Sequence, residues 1–428
     1  MLDIRFIREN AELVAEKSKQ KGYDVDIQEF LRLDKIRNEK LRTREDLKTK
    51  LNSISNNGPL APEQLAEAKS IKEKLSVARD EFKKADDAQF AMWKTIPNMP
   101  ADDVPVGTSE NDNIVAREWG NKPSFNFEPK THWEIGESRG WIDKERAAKV
   151  AGSRFAYLKG DLVKLQFALI QFVLDTLTNE ESLKKIIQEA GMQNVSPKAF
   201  VPVLPPLMVR TGVFDAMDRL EPKEERYKVG SDEDNLWLQG SAEHTLGPMH
   251  MDEILDPREL PIRYLGYATS FRREAGTYGK DTEGIIRMHQ FDKLEMESFT
   301  SIEDGMNEHL FMVAIQGYLL EQLNIPYRVI QKCTADIGKP NARGIDLDAW
   351  LPGNGRYLET HTADYMTDYQ ARRLKTRVKD GDFACTNDAT ALALGRGMVA
   401  IIENYQTADG KVNIPEALQP YMHGQTHL

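Results

Sequence analysis

One stripe of apolar residues constrains this chain more than anything else in it. Ala68, Ile71, Leu75, Ala78, Phe82 and Ala85 follow one another at intervals of 3, 4, 3, 4 and 3. That spacing keeps a single seam of an α-helix turned toward a partner helix, and a strand cannot collect those residues on one face. Gln89 occupies the next seam position as a polar exception, and Met92 resumes the pattern. Upstream, Val25 to Ser55 contains neither Pro nor Gly, and Leu33, Ile36, Leu47, Leu51 and Ile54 recur at helix-like separations, with gaps at Lys40 and Arg44. The turn formers Ser55-Asn56-Asn57-Gly58-Pro59 separate the two runs, and Pro62 followed by Glu63 marks a helix start. The prediction is an antiparallel helical hairpin, each helix roughly 40 Å long at about 1.5 Å per residue. Lys and Glu on the remaining faces imply that it projects into solvent.

The stretch from Ile96 to Gly107 is rich in Pro and acid and reads as a linker. It places a domain boundary at Thr108, with a helical domain over 1–108 and a second domain over 109–428. The texture beyond it is mixed. Helical patterns cover Leu162–Leu177, Lys184–Ala190, Gly305–Leu323 and Leu392–Tyr405. Strand character appears at Trp237–Leu238, Tyr264–Phe271, Ile285–Phe299, Tyr327–Ile330 and Arg356–Tyr369. Val201 to Pro206 reads as an edge strand or a Pro-rich turn. Strands in hairpin-like succession favour an α+β fold with an antiparallel sheet over a doubly wound one.

Charge and cysteine content narrow the class. The 428 residues carry a formal net charge of -11, which disfavours a blanket nucleic-acid coat or an anionic-membrane binder. A local basic surface stays possible, and the first hairpin helix holds one. Arg32, Lys35, Arg37, Lys40, Arg42, Arg44, Lys48 and Lys50 outnumber Asp34, Glu39, Glu45 and Asp46 there. Cys333 and Cys385 cannot build a disulfide framework or a cysteine-rich zinc site, so a reduced cytoplasmic setting without zinc fits best. The N-terminus lacks the apolar core of a signal peptide. The longest apolar run, Phe167–Leu177, is interrupted by Gln171 and Asp175, so no membrane span is expected.

Familiar nucleotide motifs are missing. Gly276-Thr277-Tyr278-Gly279-Lys280 is followed by Asp281, so it is not a Walker loop. His244, His250 and Glu253 have Pro248 among them and no helical register, a poor metal set. The informative segment runs from Phe271 to Met296, two strand-like halves around a polar, Gly-containing loop. Alternation puts Arg272 and Glu274 on one face of the first strand. It puts Arg287, His289, Phe291, Lys293 and Glu295 on one face of the second. Such a face is either a solvated surface with weak ion pairs or a nucleotide site. Arg suits phosphate oxygens, Phe stacks on a base, and Glu accepts from an exocyclic amine.

Arg272-Arg273-Glu274, then Gly284-Ile285-Ile286-Arg287-Met288-His289-Gln290-Phe291-Asp292-Lys293-Leu294-Glu295, resembles motif 2 of the class II aminoacyl-tRNA synthetases, specifically of the seryl-tRNA synthetase family. Other stretches resemble that family in its order. They are the N-terminal ten residues, His132-Trp133-Glu134, Glu145 to Phe155, Val203 to Pro206, Ser241-Ala242-Glu243, Asp368 to Arg373, and Leu394 to Gln406. The resemblance spans essentially the whole chain. It implies a coiled-coil tRNA-binding arm followed by a class II catalytic domain, an antiparallel sheet flanked by helices. It also implies a homodimer that binds serine and ATP with Mg²⁺, makes seryl-adenylate, and transfers serine to the 3′ end of tRNA(Ser). An amino-acid:carrier-protein ligase or an inactive synthetase-like paralogue are the alternatives. The first lacks a long arm, and the second need not keep Arg272, Glu274, Glu359 and Arg396.

The resemblance also implies roles. Arg272 would hold the α-phosphate and the substrate carboxylate, and Glu274 would read the adenine amine. Phe291 and Arg396 would cover the two adenine faces, with Arg396 reaching the γ-phosphate and Arg287 the terminal phosphates. Glu359, assisted by Thr362, would coordinate Mg²⁺. Ser241, Glu243, Arg272, Glu295, Asp388 and Thr390 would bind serine, and Arg272, Glu359 and Arg396 would be the catalytic set. Two stretches depart from the family pattern. Glu359-Thr360-His361-Thr362-Ala363-Asp364 replaces a Glu-Ile-Ser-Ser followed by Cys or Ser. Thr386-Asn387-Asp388-Ala389-Thr390 has Asp388 where the pocket Asn usually lies, through either a one-residue shift to Asn387 or a real substitution. The segment 178–228 is also longer than usual, with an extra helix.

Overall fold

The computed structural model describes residues 1–55, 61–231, 233–275, 284–379 and 381–428. The predicted turn at 56–59 and the loop at 276–283 lie outside the described residues. The chain divides into two compact units, Met1–Met99 and Pro100–Leu428. The division precedes the expected boundary at Thr108 because the linker is fastened to the second unit. Ala101 donates to the Ala342 carbonyl, and Thr334 to that of Pro105.

The first unit is built on two long helices, α1 (Ile27–Ser55) and α2 (Pro62–Trp93). Gln64 accepts from the Ala61 backbone at 2.9 Å and Pro62 opens α2, which together define its start. Ile71, Leu75 and Ala78 are buried, and the flanking seam residues Ala68, Phe82, Ala85 and Met92 are half-buried. The polar exception Gln89 is buried as well, because the seam is set by backbone period and not by side-chain polarity. Arg37 pairs with Asp86 at 2.6 Å and Lys40 with Glu81 at 2.8 Å, while Arg44 lies 4.2 Å from the Phe82 ring centroid. From Arg37–Asp86 to Lys40–Glu81 the partner moves back along α2 as the chain advances along α1, which is the antiparallel pairing. At the base of the hairpin, Phe30 packs on Trp93, whose indole donates to the Leu2 carbonyl at 3.0 Å.

The second unit is organised by one sheet. Its strands are β1 (Ile114–Trp119), β2 (Val201–Val203), β3 (Ile262–Phe271), β4 (Gln290–Thr300), β5 (Tyr327–Gln331), β6 (Arg343–Leu351), β7 (Arg356–Thr367) and β8 (Cys385–Ala393). They lie in the order β1-β5-β6-β7-β8-β4-β3-β2, antiparallel throughout except where β2 joins β3 in parallel. Helices α3 (Asp161–Leu177), α4 (Glu180–Glu189), α5 (Gly305–Gln322) and α6 (Leu394–Asn404) complete the frame used here. Strands β1, β6 and β8 escaped the sequence reading. Residues 385–393 are apolar or small enough to merge with the helix that follows, and only pairing with β4 and β7 makes them a strand.

Period-two alternation divides the sheet's two faces by chemistry. Leu294, Met296, Leu347, Ala349, Ala363, Ala389 and Ala391 belong to a core with Leu165 and Leu169 of α3, Phe311 and Ile315 of α5, and Val399 and Ile402 of α6. The alternate residues Lys293, Glu295, Glu297, Asp346, Asp348, Thr362, Asp364, Asp388 and Thr390 are turned the other way. Two bulges adjust this face. One falls at Thr360, so that Asp348 pairs with Glu359 while Asp346 pairs with Thr362, and Glu359 joins Thr362 on the polar side. The second falls at Ala391, between the pairs Leu294–Leu392 and Glu295–Thr390. From α5, the Gln316 amide donates to the carbonyls of Thr362 and Thr390 at 2.8 and 2.9 Å. It supplies a donor next to both bulges, where ladder bonds are lost.

Candidate active site

Arg272, Glu274, Arg287, Phe291, Glu359, Thr362, Thr390 and Arg396 line one pocket on the polar face of the sheet. They come from four places in the chain, the β3 end, β4, β7–β8 and the start of α6. The expected alternation needs correction at its ends. β3 stops at Phe271 and β4 starts at Gln290, so Arg272, Glu274, Arg287 and His289 stand beyond the paired strands. Arg272 still donates its backbone N–H to the His289 carbonyl, but Glu274 turns off with φ of 51°. A left-handed backbone there ends the strand and aims the carboxylate sideways at Arg287, 2.5 Å away.

Arg272 is held by its own strand neighbours. Its Nε donates to the Gly240 carbonyl at 2.9 Å, and its guanidinium lies 5.4 Å from the Phe291 ring centroid. A Cβ at Gly240 would come within 2.7 Å of the Arg226 guanidinium and 3.2 Å of the His244 ring, so the Arg226 side chain would have to shift to admit one. Arg396 donates to the Glu359 carbonyl at 2.6 Å and pairs with its carboxylate at 3.1 Å. Burial pushes Glu359 up, yet Arg396, Lys332 and Arg272 together hold it below the usual carboxylate range. An ionised carboxylate beside the Thr362 hydroxyl is a hard-oxygen donor set that fits Mg²⁺. Among the described residues no cluster of three or more His, Cys, Asp or Glu is arranged to hold a metal. A cation at Glu359 and Thr362 would therefore need ligand oxygens to complete its shell.

The residues assigned to serine sit deeper. Ser241, Glu243, Glu295 and Asp388 are buried behind the pocket, and Thr390 alone of that group lines it beside Arg272. Lys293 links the two layers. It lines the pocket, pairs with Glu295, and donates to the Thr390 hydroxyl at 3.2 Å. Burial pushes Glu295 well up, with Lys293 opposing. Glu297 is pushed up by burial and by the neighbouring Asp388 and Glu243, and neither of its oxygens has a hydrogen-bond partner among the described residues. Burial likewise raises Asp388 to about 8, against the pull of Arg219. The register decides between Asn387 and Asp388. Asp388 pairs with Glu297 and Asp364 on the polar face, while Asn387 pairs with Ser298 on the other.

Several contributors were not singled out from the sequence. Lys293 was placed on the right face but given no role. Asp346, raised to about 7 by burial against Lys332, stands across from Thr362. Arg219 and Arg226 come from a stretch with no motif. The histidine group does not converge. His250 is bonded to Glu253 and Tyr264, whereas His244 accepts from the Gly240 N–H.

Comparison with known proteins places this geometry in context. The seryl-tRNA synthetase N-terminal domain family matches residues 1–100, and the tRNA synthetase class II core domain family (G, H, P, S and T) matches residues 227–405. The chain is 38% identical to a serine–tRNA ligase of Thermodesulfovibrio yellowstonii, with 99% of each chain covered. Among solved structures it resembles the seryl-tRNA synthetase of Pyrococcus horikoshii complexed with ATP, with a TM-score of 0.86, 35% identity, and 100% and 99% of the two chains covered. It also resembles the cytoplasmic serine–tRNA ligase of Naegleria fowleri in complex with AMP, with a TM-score of 0.85, 28% identity, and 100% and 98% covered.

Proposed function

The chain belongs to the seryl-tRNA synthetase family and is a serine–tRNA ligase, and we propose that the pocket on the polar face of its sheet is where serine and ATP are joined. A serine carboxylate oxygen attacks the α-phosphorus of ATP, pyrophosphate leaves, and seryl-adenylate forms. A hydroxyl at the tRNA 3′ end then attacks the seryl carbonyl and AMP leaves. The first step needs no general base, because the attacking carboxylate is already ionised, so catalysis there is positioning and charge stabilisation.

The observation that carries this reading is the pairing of opposite charges at the pocket, Glu274 with Arg287 and Glu359 with Arg396. ATP offers each member a better partner. Glu274 turns to the adenine amine and Arg287 to the terminal phosphates. Arg396 covers the adenine opposite Phe291 and reaches the γ-phosphate. Glu359 with Thr362 holds Mg²⁺, which when bound neutralises phosphate charge. Arg272, between Phe291 and the Gly240 carbonyl, faces both the α-phosphate and the serine carboxylate. Ser241, Glu243, Glu295, Asp388 and Thr390 supply polar partners for the serine ammonium and hydroxyl. A buried set of that kind rejects alanine by leaving groups unpaired.

The arm over residues 1–108 is the natural contact for tRNA(Ser), with Lys35, Arg42 and Lys50 exposed on α1. Around β2, exposed Val201, Leu204 and Met208 support a homodimer. Among the described residues no helix is long and apolar enough to cross a membrane. The free thiols Cys333 and Cys385 fit a cytoplasmic setting. Serine-dependent ATP–pyrophosphate exchange tests the reading directly. Exchange followed by charging of tRNA is expected. No exchange with serine overturns it, and exchange without charging points to a carrier-protein ligase.

A further inference from the structure

We propose that Arg219 is a specificity-determining positioning residue, which holds Asp388 and Asp364 as the floor of the serine pocket. The inference rests on the functional reading above. Its starting point is that the two departures from the family pattern meet in space. Asp388, where an Asn is usual, and Asp364, at the end of the stretch that departs from the Glu-Ile-Ser-Ser pattern, face each other directly across β7 and β8. Two acidic side chains opposed in this way crowd one another unless a group of opposite charge stands between them. Arg219 lies between them, 3.2 Å from Asp388 Oδ2 and 3.8 Å from Asp364 Oδ2. It arises from the third departure, the long segment 178–228.

Arg219 is set firmly enough to position what it touches. The Arg226 Nε donates to its carbonyl at 3.1 Å, and Gln370 donates to the Met217 carbonyl at 3.0 Å. Next to it, Asp218 is paired with Lys339 at 3.0 Å. The side chain is largely buried at 17% exposure, and the two carboxylates at 4% and 12%. An Arg guanidinium is always charged, and one nitrogen of Arg219, Nη2, faces both carboxyl groups.

The link to serine follows from the strand period. Asp388 is two residues from Thr390 on β8 and sits across from Glu297, itself two residues from Glu295 on β4. Glu243, Glu295, Glu297, Asp364 and Asp388 thus crowd one buried region, with Lys293 and Arg219 among them, Arg226 near Glu243 and Lys332 near Asp364. Without Arg219, the opposed Asp364 and Asp388 side chains lose the group seated between them, and the pocket loses its shape toward the small polar substrate. An amide at 388 leaves Asp364 with no second carboxyl group across from it, so the arginine and the aspartate are one device.

The test is pyrophosphate exchange measured against serine and against ATP for Arg219→Gln, Asp388→Asn and the double variant. Arg219→Gln is expected to raise the serine KM about ten-fold or more while the ATP KM stays within about two-fold, and Asp388→Asn in the same chain is expected to recover most of the loss. Equal movement of both KM values, or no recovery in the double variant, overturns the proposal. Should Arg219→Gln fail to fold, Asp388→Asn alone carries the test, because it frees one face of Arg219. It is expected to raise the serine KM several-fold with the ATP KM unmoved, and a serine KM within about two-fold of the unaltered chain overturns the proposal. If the unaltered chain shows no serine-dependent exchange, the functional reading falls and this inference with it. Serine exchange that ignores Arg219→Gln overturns this inference alone.

Discussion

The helical hairpin and the catalytic sheet place their charges in opposite surroundings. On α1 and α2 the ion pairs Arg37–Asp86 and Lys40–Glu81 have partners between 29% and 47% exposed. Pairs like these contribute little to stability and are screened by salt. On the sheet, Glu295, Glu297 and Asp388 are buried among one another, with Lys293 and Arg219 close by. Those groups respond to pH and to single substitutions, because a buried charge left alone is costly. Salt should therefore report on the arm, and pH and substitution on the sheet.

The largest effect is expected at Arg272. Arg272→Ala should lower serine-dependent exchange by about 10³-fold, the scale of a lost electrostatic contact to the transition state, while the fold and the proposed dimer survive. Circular dichroism and gel filtration check the second part. Exchange near the unaltered rate would break the assignment of the sheet face as the reacting surface. Next comes the arm. Arg42→Glu with Lys50→Glu should raise the tRNA KM for charging by about ten-fold and flatten its salt dependence, with pyrophosphate exchange unmoved. A matching fall in exchange would mean that the two units do not divide the work in this way.

The smallest effect concerns stability against pH. Burial holds Asp388 up at about 8 in the folded chain, against the pull of Arg219, whereas an unfolded Asp releases its proton near its ordinary value. A pKa raised by folding contributes stability that is full below the unfolded value and is lost as pH rises through the folded one. Stability should thus fall from about pH 4 to about pH 8, by about 1 kcal/mol per pH unit from Asp388, and Asp388→Asn should flatten that slope. Denaturant unfolding at several pH values measures it. Equal slopes would mean that Arg219 already keeps Asp388 ionised.

The amino-acid sequence alone determined the elements whose signal is local. The α2 seam from Ala68 to Met92 is a period of backbone geometry, so it could be read before any partner was known, and Gln89 obeyed it despite its polarity. Motif residues such as Arg272, Glu274 and Phe291 could be named because their spacing within one segment carries the resemblance. Only the tertiary structure decided what lies between segments. The bulge at Thr360 that turns Glu359 toward Thr362, the strand character of 385–393, and the choice of Asp388 over Asn387 all depend on register with β4, β6 and β7. Arg219 stands 169 positions from Asp388 with no pattern connecting them, and their contact is a product of the sheet's non-sequential strand order. Periodicity is written along the chain, whereas pairing is settled by which surfaces can be buried together.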